Sequence, residues 1–288
     1  MKAFASISLV LLGLLSSTFA SPVAVTERDV SSSVYDDLVR YTKYSSASYQ
    51  LLCVSPLGNT LVQSFSVGNT QGFIARDDTR KEIVVSFRGS FSLADAATDV
   101  NLFLVPFTSP GIAQSFNVHA GFLAAYNDVA NVVLSTVKSQ ASKFPSYSVV
   151  VTGHSLGGAL AALGAVSIKT ALPQVSMKLY TFGQPRTGDK QWAAFVEKTV
   201  GVNNIFRAVH TFDGVPTLIP QFLGYQHHST EYWQFSDPGL LTDPATTVKK
   251  CSGEEDSSCS DSILSTGINA AHVFYFGQVM AVNPLLCV

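Results

Sequence analysis

Apolar residues recur at two different spacings along the chain, and the two kinds of segment alternate. In residues 122–144, apolar side chains return every three or four positions as far as Pro145, which predicts an amphipathic helix that ends there. Residues 82–87, 178–182 and 205–209 are short apolar runs, typical of strands buried on both faces. This alternation predicts an α/β protein with a mainly parallel central sheet and helices on both faces.

Other segments extend this pattern less regularly. Residues 34–48 and 191–200 have helical spacing, and residues 61–74 alternate around two glycine-containing turns, which predicts a hairpin at an edge of the sheet. Residues 242–269 are polar and partly acidic and predict a loop, whereas residues 271–282 predict either a short apolar helix or a late strand. No internal repeat or long linker divides these segments, so we expect a single domain.

One apolar segment fits neither spacing. Residues 91–99 predict a short helix, and residues 101–107 are strongly apolar beside Pro106 without the alternation of a strand. Apolar side chains without an evident partner are typical of a mobile flap or of one wall of a substrate site. The alternative is a buried strand that only connects two larger elements.

The N-terminal residues have the pattern of a secretory signal. A lysine supplies the positive charge, residues 7–15 are mostly apolar, and a small-x-small sequence ends at Ala20. We therefore expect residues 1–20 to be a signal peptide and residues 21–30, which lack periodicity, to be a propeptide or a loose arm. Residues 31–288 would then form the single domain of a secreted protein, and the alternative is an anchored N-terminal helix.

Composition and charge exclude several classes of protein. Hydrophobic residues make up 47% of the chain and charged residues 13%, which excludes an intrinsically disordered protein. The formal net charge of −2 gives no attraction to nucleic acid, and no later run is long and apolar enough for a transmembrane anchor. Four cysteines suit an oxidising compartment, with three pairings open, and no motif has metal-ligand spacing, so we expect no metal.

Residues 149–157 carry the most specific motif. A β-branched run leads into Gly-His-Ser-Leu-Gly, and residues 159–170 continue as a small-residue helix. This is the G-x-S-x-G nucleophile elbow, a tight strand-to-helix turn that presents a serine. Side chains at Gly153 and Gly157 would collide with the neighbouring strand and helix, and the helix N-terminus offers N–H groups to an oxyanion. Unless the pentapeptide occurs by chance in front of a buried helix, Ser155 is a nucleophile.

A serine nucleophile needs a histidine as general base and a carboxylate that orients the histidine. Behind such an elbow the partners follow in the chain order Ser, Asp, His, each in a loop after a strand. Asp213 comes just after the predicted strand at 205–209. Asp237 and Asp243 come later and stand beside prolines, as solvated loop residues commonly do, so Asp213 is the favoured carboxylate.

Three histidines follow Asp213 in the chain. His227 and His228 lie in a loop near tyrosines, where surface or packing roles are ordinary. His272 opens the apolar closing segment after a long loop, which is a good position for a base. The residues alone leave all three histidines open.

Several segments taken together resemble one family. They are residues 87–90, 119–122, 152–159, 180–188, 210–216, 224–225 with 231–233, and 271–277. The chain is similar to the fungal class 3 lipases, a family that also contains feruloyl esterases. The likeness extends from about residue 34 to residue 287, and it implies the α/β-hydrolase fold with a lid over the active site.

The resemblance implies a role for each candidate. It makes Ser155 the nucleophile, Asp213 the orienting acid and His272 the base, and it places Ser90 and Leu156 in the oxyanion hole. The implied reaction is a two-step acyl transfer, in which the serine attacks an ester carbonyl and activated water then releases the acid. This chemistry needs no cofactor. A catalytically dead module that only binds lipid would have lost one of these residues, and none is lost.

The segment after Ser90 corresponds to the family's lid. There the resemblance implies that Asp99 binds the Ser90 hydroxyl when the lid opens, and the alternative is that Asp99 caps a loop of a fixed flap. The residues expected to form the lid or to contact the acyl chain are Phe91, Leu93, Asp99, Leu102, Phe103, Phe122, Val215 and Val273. Opening a lid would exchange contact with water for contact with acyl chains.

Apolar side chains in the flap bear on the substrate. Leu102, Phe103 and Val105 stand where the esterase branch carries Tyr and Thr. Each CH₂ group buried against them contributes about 0.8 kcal/mol, which favours an acylglycerol at a lipid–water interface. Residues 251–254 and 269–272 nevertheless resemble the esterase branch, so an esterase for feruloyl or other carbohydrate esters is the alternative. Mono-, di- and triacylglycerols are not distinguished.

The resemblance also implies two disulfides. It pairs Cys53 with Cys287 and Cys251 with Cys259. Together with the signal sequence, these pairs predict a secreted, extracellular protein. We expect it to act as a monomer, without a nucleic-acid partner and without a transmembrane anchor.

Overall fold

The structure is a computed structural model that describes residues 30–90 and 102–287. The helices of this part are α1 (Ser32–Ala47), α2 (Ala120–Lys143), α3 (Leu156–Ala171) and α4 (Lys190–Val200). Its strands are β1 (Thr60–Val67), β2 (Thr70–Asp77), β3 (Glu82–Phe87), β4 (Leu104–Ser109), β5 (Ile112–His119), β6 (Ser148–His154), β7 (Met177–Phe182), β8 (Gly188–Asp189), β9 (Ile205–His210), β10 (Tyr225–Gln226), β11 (Glu231–Gln234), β12 (Val248–Lys250), β13 (Phe274–Tyr275) and β14 (Gln278–Val279). The expected signal peptide, residues 21–29 of the expected arm, and the lid candidates Phe91, Leu93 and Asp99 lie outside the described residues.

Eight strands form the main sheet, in the order β1-β2-β3-β6-β7-β9-β11-β12. Strands β3, β6, β7, β9 and β11 run parallel, and the flanking strands pair antiparallel. The parallel centre confirms the expected α/β class, and β1 with β2 confirms the hairpin predicted at an edge. Because β6 and β9 are parallel, Ser155 after β6 and Asp213 after β9 leave the sheet at the same edge.

Helices cover both faces of the main sheet. In β6, Val149 and Val151 belong to the apolar cluster that contains α2 and α3, whereas Val150 belongs to the cluster beneath α1. Successive side chains of a strand point to opposite faces, so a strand buried on both sides needs an uninterrupted apolar run. The small, apolar α3 is buried along nearly its whole length, which brings its first turn against the sheet.

A second, antiparallel sheet with the order β10-β8-β5-β4 is not evident in the sequence. The segment 101–107, interpreted as a flap or substrate wall, is strand β4 from Leu104 onwards, where Phe107 is completely buried. Leu102 and Phe103 precede the strand and are exposed. The strand alternative therefore holds for most of the segment. The pairing is hidden because the partner, β5, is polar at several positions and gives no strong apolar pattern of its own.

The closing segment combines both of its predicted alternatives. Ala270–Val273 is a short 3₁₀ helix, and β13 and β14 form a small hairpin directly after it. The segment 242–269, predicted as a loop, contains one short strand, β12, which extends the main sheet beyond β11. Three residues of this kind, with lysines at two of the positions, carry no periodic signal that a sequence pattern could show.

Two disulfides fasten the periphery of the domain. Cys53, which follows α1, is joined to Cys287 across a sequence separation of 234 residues. Cys251 and Cys259 close a much shorter loop, with a separation of 8 residues, next to β12. These are the pairs that the family resemblance implies. Within the described ranges, we find no helix with both the length and the apolar character that a membrane span requires.

Candidate active site

Ser155 occupies the sharp turn between β6 and α3. Its backbone has φ +59° and ψ −127°, a combination that residues other than glycine rarely adopt. The residue is 3% exposed, and its N–H donates to the carbonyl oxygen of Phe182 over 2.8 Å. It stands immediately before α3, so the positive end of the helix dipole lies beside it. This is the geometry that the elbow motif predicts.

The two glycines of the motif are required by close packing. A Cβ atom on Gly153 would lie 2.1 Å from the carbonyl oxygen of Gly157, and one on Gly157 would lie 2.3 Å from that of Phe87. Both distances are far inside van der Waals contact, so any side chain there would push α3 away from the sheet. The glycines let β3, β6 and α3 meet at the point where Ser155 turns.

A buried carboxylate and a buried imidazole meet at the same edge of the sheet. His272 Nδ1 donates to Asp213 Oδ2 over 2.9 Å, and neither side chain has exposed area. Asp213 also accepts from the backbone N–H of Val215 at 2.9 Å and from the Tyr275 hydroxyl. Burial alone would raise the pKa of the Asp213 carboxyl, but the charge of His272 and these hydrogen bonds hold it below its ordinary value.

These contacts fix the tautomer of His272. A carboxylate oxygen accepts, so Nδ1 carries the proton and Nε2 presents a lone pair. Within the part of the chain that the structure describes, Nε2 is buried and has no hydrogen-bond partner. Gly183, at φ +58°, leaves room for the pair, because a Cβ there would lie 2.8 Å from Asp213 Oδ2 and 2.9 Å from His272 Nδ1. The pair can act as an oriented proton acceptor.

Of the predicted oxyanion positions, Leu156 directly follows Ser155, and Ser90 follows Gly89, which lies against Ser155. Gly89 approaches so closely that a Cβ on it would lie 3.2 Å from Ser155 Cβ, and the half-buried Ser90 follows at once. Leu156 is the first residue of α3, where a backbone N–H has no acceptor within the helix. Arg88 Nε donates to Gly89 O at 3.0 Å and so fastens this end of β3.

The predicted acyl-contacting residues differ in exposure where the structure describes them. Leu102 and Phe103 are 39% and 70% exposed, and Val273, next to the candidate base, is 36% exposed. Phe122, in α2, and Val215, shortly after Asp213, are buried. The exposed three are accessible to a ligand, whereas the buried two support the packing around the site.

His227 and His228 are buried and are not arranged as bases. The ring nitrogens of His228 contact Gln184 at 3.1 Å and Ser229 O at 2.9 Å, and His227 Nε2 donates to a carbonyl oxygen at 2.8 Å. Among the described residues, no carboxylate accepts from either ring. Burial lowers the pKa of both, to about 4 for His228. Of the three open histidines, His272 is the one that meets a carboxylate.

Three contacts around the candidate base are missed by sequence reasoning. Tyr275 donates to the carboxylate of Asp213, His154 Nε2 donates to the backbone oxygen of His272 at 2.7 Å, and Tyr49 donates to His154 Nδ1 at 2.7 Å. The place of His154 inside the elbow motif is a signal, but no spacing rule connects it with Tyr49 or His272. Such contacts depend on the folded topology.

Part of the segment predicted as a polar loop is buried against Arg186. This guanidinium donates to both carboxylate oxygens of Glu255 at 2.8 Å, to Asp261 at 3.0 Å and to Ile219 O at 2.9 Å. Burial raises the pKa of the Glu255 carboxyl, but its contacts with Arg186 lower this pKa by more than burial raises it. The pKa of Glu255 therefore lies below its ordinary value. The network ties the disulfide loop to the segment that follows Asp213.

One group of three potential metal ligands occurs within the described ranges, namely Glu231, Cys251 and Cys259. The two sulfur atoms are bound to each other in a disulfide, whereas a metal requires free thiolates. Glu231 instead pairs with the buried Arg207, whose Nη2 lies 3.1 Å from its carboxylate. The group is therefore structural.

Comparison with known proteins shows to which family the chain belongs. The family model described as Lipase (class 3) matches residues 84–223. The lipase of Rhizomucor miehei is 35% identical over 277 residues, which cover 90% of this chain and 72% of that protein. The chain belongs to the class 3 lipase family.

Other relatives extend the likeness of this class 3 lipase. The secreted mono- and diacylglycerol lipase A of Penicillium cyclopium is 32% identical over 289 residues, which cover 91% of each protein. The crystal structure of a triacylglycerol lipase from Penicillium expansum superimposes with a TM-score of 0.80 at 26% identity, over 88% of this chain and 96% of that one. The main sheet with its elbow is thus the α/β-hydrolase fold.

Proposed function

We propose that this class 3 lipase cleaves acylglycerol esters through an acyl-enzyme on Ser155. One observation carries the proposal. His272 Nδ1 lies 2.9 Å from the buried carboxylate of Asp213, and Nε2 has no other partner among the described residues. A serine hydroxyl stays protonated at neutral pH, so an ester hydrolase needs such a base beside its elbow.

In the first step of the proposed reaction, Ser155 Oγ attacks the ester carbonyl while its proton passes to His272 Nε2. The carboxylate of Asp213 stabilises the imidazolium and keeps the ring oriented. His272 then gives the proton to the alcohol that leaves as the C–O bond breaks. In the second step His272 takes a proton from water, the water oxygen attacks the acyl group, and the proton returns to Ser155 as the acid departs.

The oxyanion of each tetrahedral intermediate is proposed to bind the backbone N–H of Leu156 and the N–H and hydroxyl of Ser90. The end of β3 supports this assignment, because Gly89 brings the backbone against Ser155. Losing one such donor typically costs about 3–4 kcal/mol of transition-state stabilisation. Asp99 is proposed to orient the Ser90 hydroxyl.

Apolar side chains at this edge suit a lipid–water interface. Phe212, beside Asp213, is 53% exposed, and Val273, beside His272, is 36% exposed. Clustered apolar exposure is typical of a contact surface. The names of the relatives, a mono- and diacylglycerol lipase and a triacylglycerol lipase, support acylglycerols over feruloyl esters.

This lipase is a secreted protein, in keeping with its secreted relatives and its two disulfides. We further propose that residues 1–20 are its signal peptide and that it acts as a monomer. Light scattering of the purified enzyme and sequencing of its mature N-terminus test these two points.

Covalent labelling and a substrate panel test the proposed function together. An alkyl phosphonate should label the purified enzyme at Ser155, and the Ser155→Ala variant should neither be labelled nor hydrolyse esters. Tributyrin, triolein, monoolein and methyl ferulate are then compared at equal concentrations of active enzyme. Hydrolysis of the acylglycerols with little turnover of methyl ferulate is expected. A preference for methyl ferulate, or labelling at another residue, would contradict the proposal.

A further inference from the structure

The candidate base stands on an irregular segment and not on a strand of the main sheet. Ala270–Val273 is a single turn of 3₁₀ helix. Two buried histidines reach it from outside: His210 Nδ1 donates to Ala271 O at 3.0 Å, and His154 Nε2 donates to His272 O at 2.7 Å. Hydrogen bonds from side chains therefore hold this backbone in place, as hydrogen bonds between neighbouring strands hold the backbone of a sheet.

His154 has a second connection, because it directly precedes the nucleophile in the chain. The carbonyl oxygen of His272 can only accept, so Nε2 of His154 carries the proton and its Nδ1 is an acceptor. That acceptor takes a hydrogen bond from the Tyr49 hydroxyl at 2.7 Å. Both nitrogens are thus satisfied in one tautomer of the neutral ring, and the ring is fixed at both ends.

Tyr49 continues the path to the oxyanion side of the site. Its hydroxyl lies against the backbone of Gly89. A Cβ on Gly89 would lie 2.2 Å from this hydroxyl and 2.7 Å from His154 O, which shows how tightly the three residues meet. Ser90 follows Gly89, and Ser155 follows His154. The two hydrogen bonds of His154, together with the close packing of Tyr49 on Gly89, therefore connect the strand end before Ser90, the residue before the nucleophile, and the backbone of the base.

The charge of His154 matters because its ring centroid lies 4.5 Å from that of His272. In the proposed reaction His272 becomes an imidazolium, and a second cation at this distance would oppose that step. Burial, together with the charge of His272, lowers the pKa of His154 to about 3. A neutral donor can hold the His272 carbonyl in both protonation states of the base without repelling it.

We propose that Tyr49 and His154 form a neutral hydrogen-bond relay that positions the backbone of His272 relative to Ser155 and Ser90. Both are positioning residues, since neither contacts the reacting atoms. This inference rests on the proposed function, because it concerns the placement of the proposed base. The relay makes the geometry of the base depend on α1 and its following turn, where Tyr49 lies.

Two substitutions at one position test the relay. His154→Gln keeps an amide N–H near the place of Nε2, whereas His154→Met fills a similar volume without a donor. With tributyrin as substrate, the Met variant should lose about tenfold to hundredfold in kcat with KM little changed, because one buried donor to the base is removed. The Gln variant should recover most of this loss. Tyr49→Phe should fall between them, since His154 keeps its donor but loses the contact that fixes its tautomer.

Matched variants separate positioning from general destabilisation. His228→Met removes another fully buried histidine that has no hydrogen bond to His272, and Tyr126→Phe removes the hydroxyl of another fully buried tyrosine. Both should keep kcat near that of the unaltered enzyme even if their melting temperatures fall. Titration with the phosphonate normalises every rate to the active sites present. The acid limb of the pH dependence of kcat/KM should be the same in His154→Gln as in the unaltered enzyme.

The possible outcomes distinguish failure of the relay from failure of the proposed function. Equal impairment of His154→Gln and His154→Met, or full kcat in His154→Met, would overturn the relay while Ser155→Ala remains inactive. Impairment of His228→Met to the same extent as His154→Met would assign the effect to packing and also overturn it. If Ser155→Ala kept its activity, the proposed function itself would fail, which is a different result from failure of the relay.

Discussion

Asp213 illustrates how single residues are held in this lipase. Its carboxylate has no exposed area, yet it accepts from Val215, His272 and Tyr275, three residues from two separate segments. In a buried site each such hydrogen bond is strengthened because water does not compete for the carboxylate. For the same reason, the removal of one donor is costly at this position.

Tyr275→Phe removes one donor from Asp213 but keeps the ring against Phe182. The folded pKa of Asp213 lies below its ordinary value of 3.8, so this group stabilises the fold above that pH, and the stabilisation is lost as the pH falls through the folded value. In the variant the folded pKa rises, so about 1–2 kcal/mol of stability at neutral pH is lost. Urea unfolding across the acid range should show this, with Tyr126→Phe as control; superimposable stability profiles would contradict it.

Gly183→Ala tests the room that the acid and the base require. Strain from the positive φ of +58° is expected to cost about 1–2 kcal/mol, and the new Cβ, 2.8 Å from Asp213 Oδ2, should displace the pair and lower kcat strongly. Gly111→Ala is the matched control, because its φ is +79° and nothing lies within 4 Å of its Cβ. The control should lose stability without losing kcat. Equal kcat in both variants would show that the clash is relieved without cost.

At the scale of elements, loops around the site are fixed by buried charge as much as by apolar packing. Arg186, 2% exposed, binds Glu255 and Asp261 and also holds Ile219 O. A buried ion pair adds little net stability when complete, but it leaves an uncompensated charge when one partner is removed. The disulfide loop and the segment after Asp213 are therefore coupled through one guanidinium.

Arg186→Met should destabilise the protein by about 3–5 kcal/mol, because Glu255 is left buried without its partner. For a domain of this size, that corresponds to a fall in melting temperature on the order of 10 °C. The control is Arg76→Met, which breaks the exposed pair with Asp78 and should cost well under about 1 kcal/mol. Calorimetry on both variants checks the contrast, and similar melting temperatures would show that the buried network is dispensable.

The sequence predicts the helices and strands that a local pattern defines, and it misses those that depend on pairing with a distant segment. Buried strands and α2 follow directly from apolar spacing, and the elbow at Ser155 follows from a motif. The second sheet is missed because β4 and β5 are recognisable only from each other. Chain order narrows the base to three histidines, but only the fold brings His272 to Asp213, and nothing local connects Tyr49 with His154.

At the scale of the whole molecule, two disulfides act over very different lengths of chain. Cys53–Cys287 spans 234 residues, whereas Cys251–Cys259 spans 8. A cross-link restricts the unfolded chain more when the loop that it closes is longer. The first bond therefore constrains the domain as a unit, and the second constrains one loop.

Replacing both members of each pair by serine should show this difference. Loss of Cys53–Cys287 is expected to cost about 4–5 kcal/mol, and loss of Cys251–Cys259 about 2–3 kcal/mol. Unfolding in guanidinium, monitored by tryptophan fluorescence, measures both. The prediction is contradicted if the short loop proves the more stabilising, or if non-reducing peptide mapping joins Cys53 to Cys251.

We expect the contacts of His272 to determine when activity returns during refolding. Its carbonyl is bound 118 residues away in sequence by His154, which is bound by Tyr49 a further 105 residues away. Contacts between residues so far apart in sequence form late, after local helices and hairpins have already appeared. Ester hydrolysis should therefore recover more slowly than far-ultraviolet circular dichroism when the denatured, disulfide-intact enzyme is diluted into buffer. Chains with native-like secondary structure and no turnover would accumulate first. The rate at which hydrolysis recovers would then measure the rate at which these long-range contacts form.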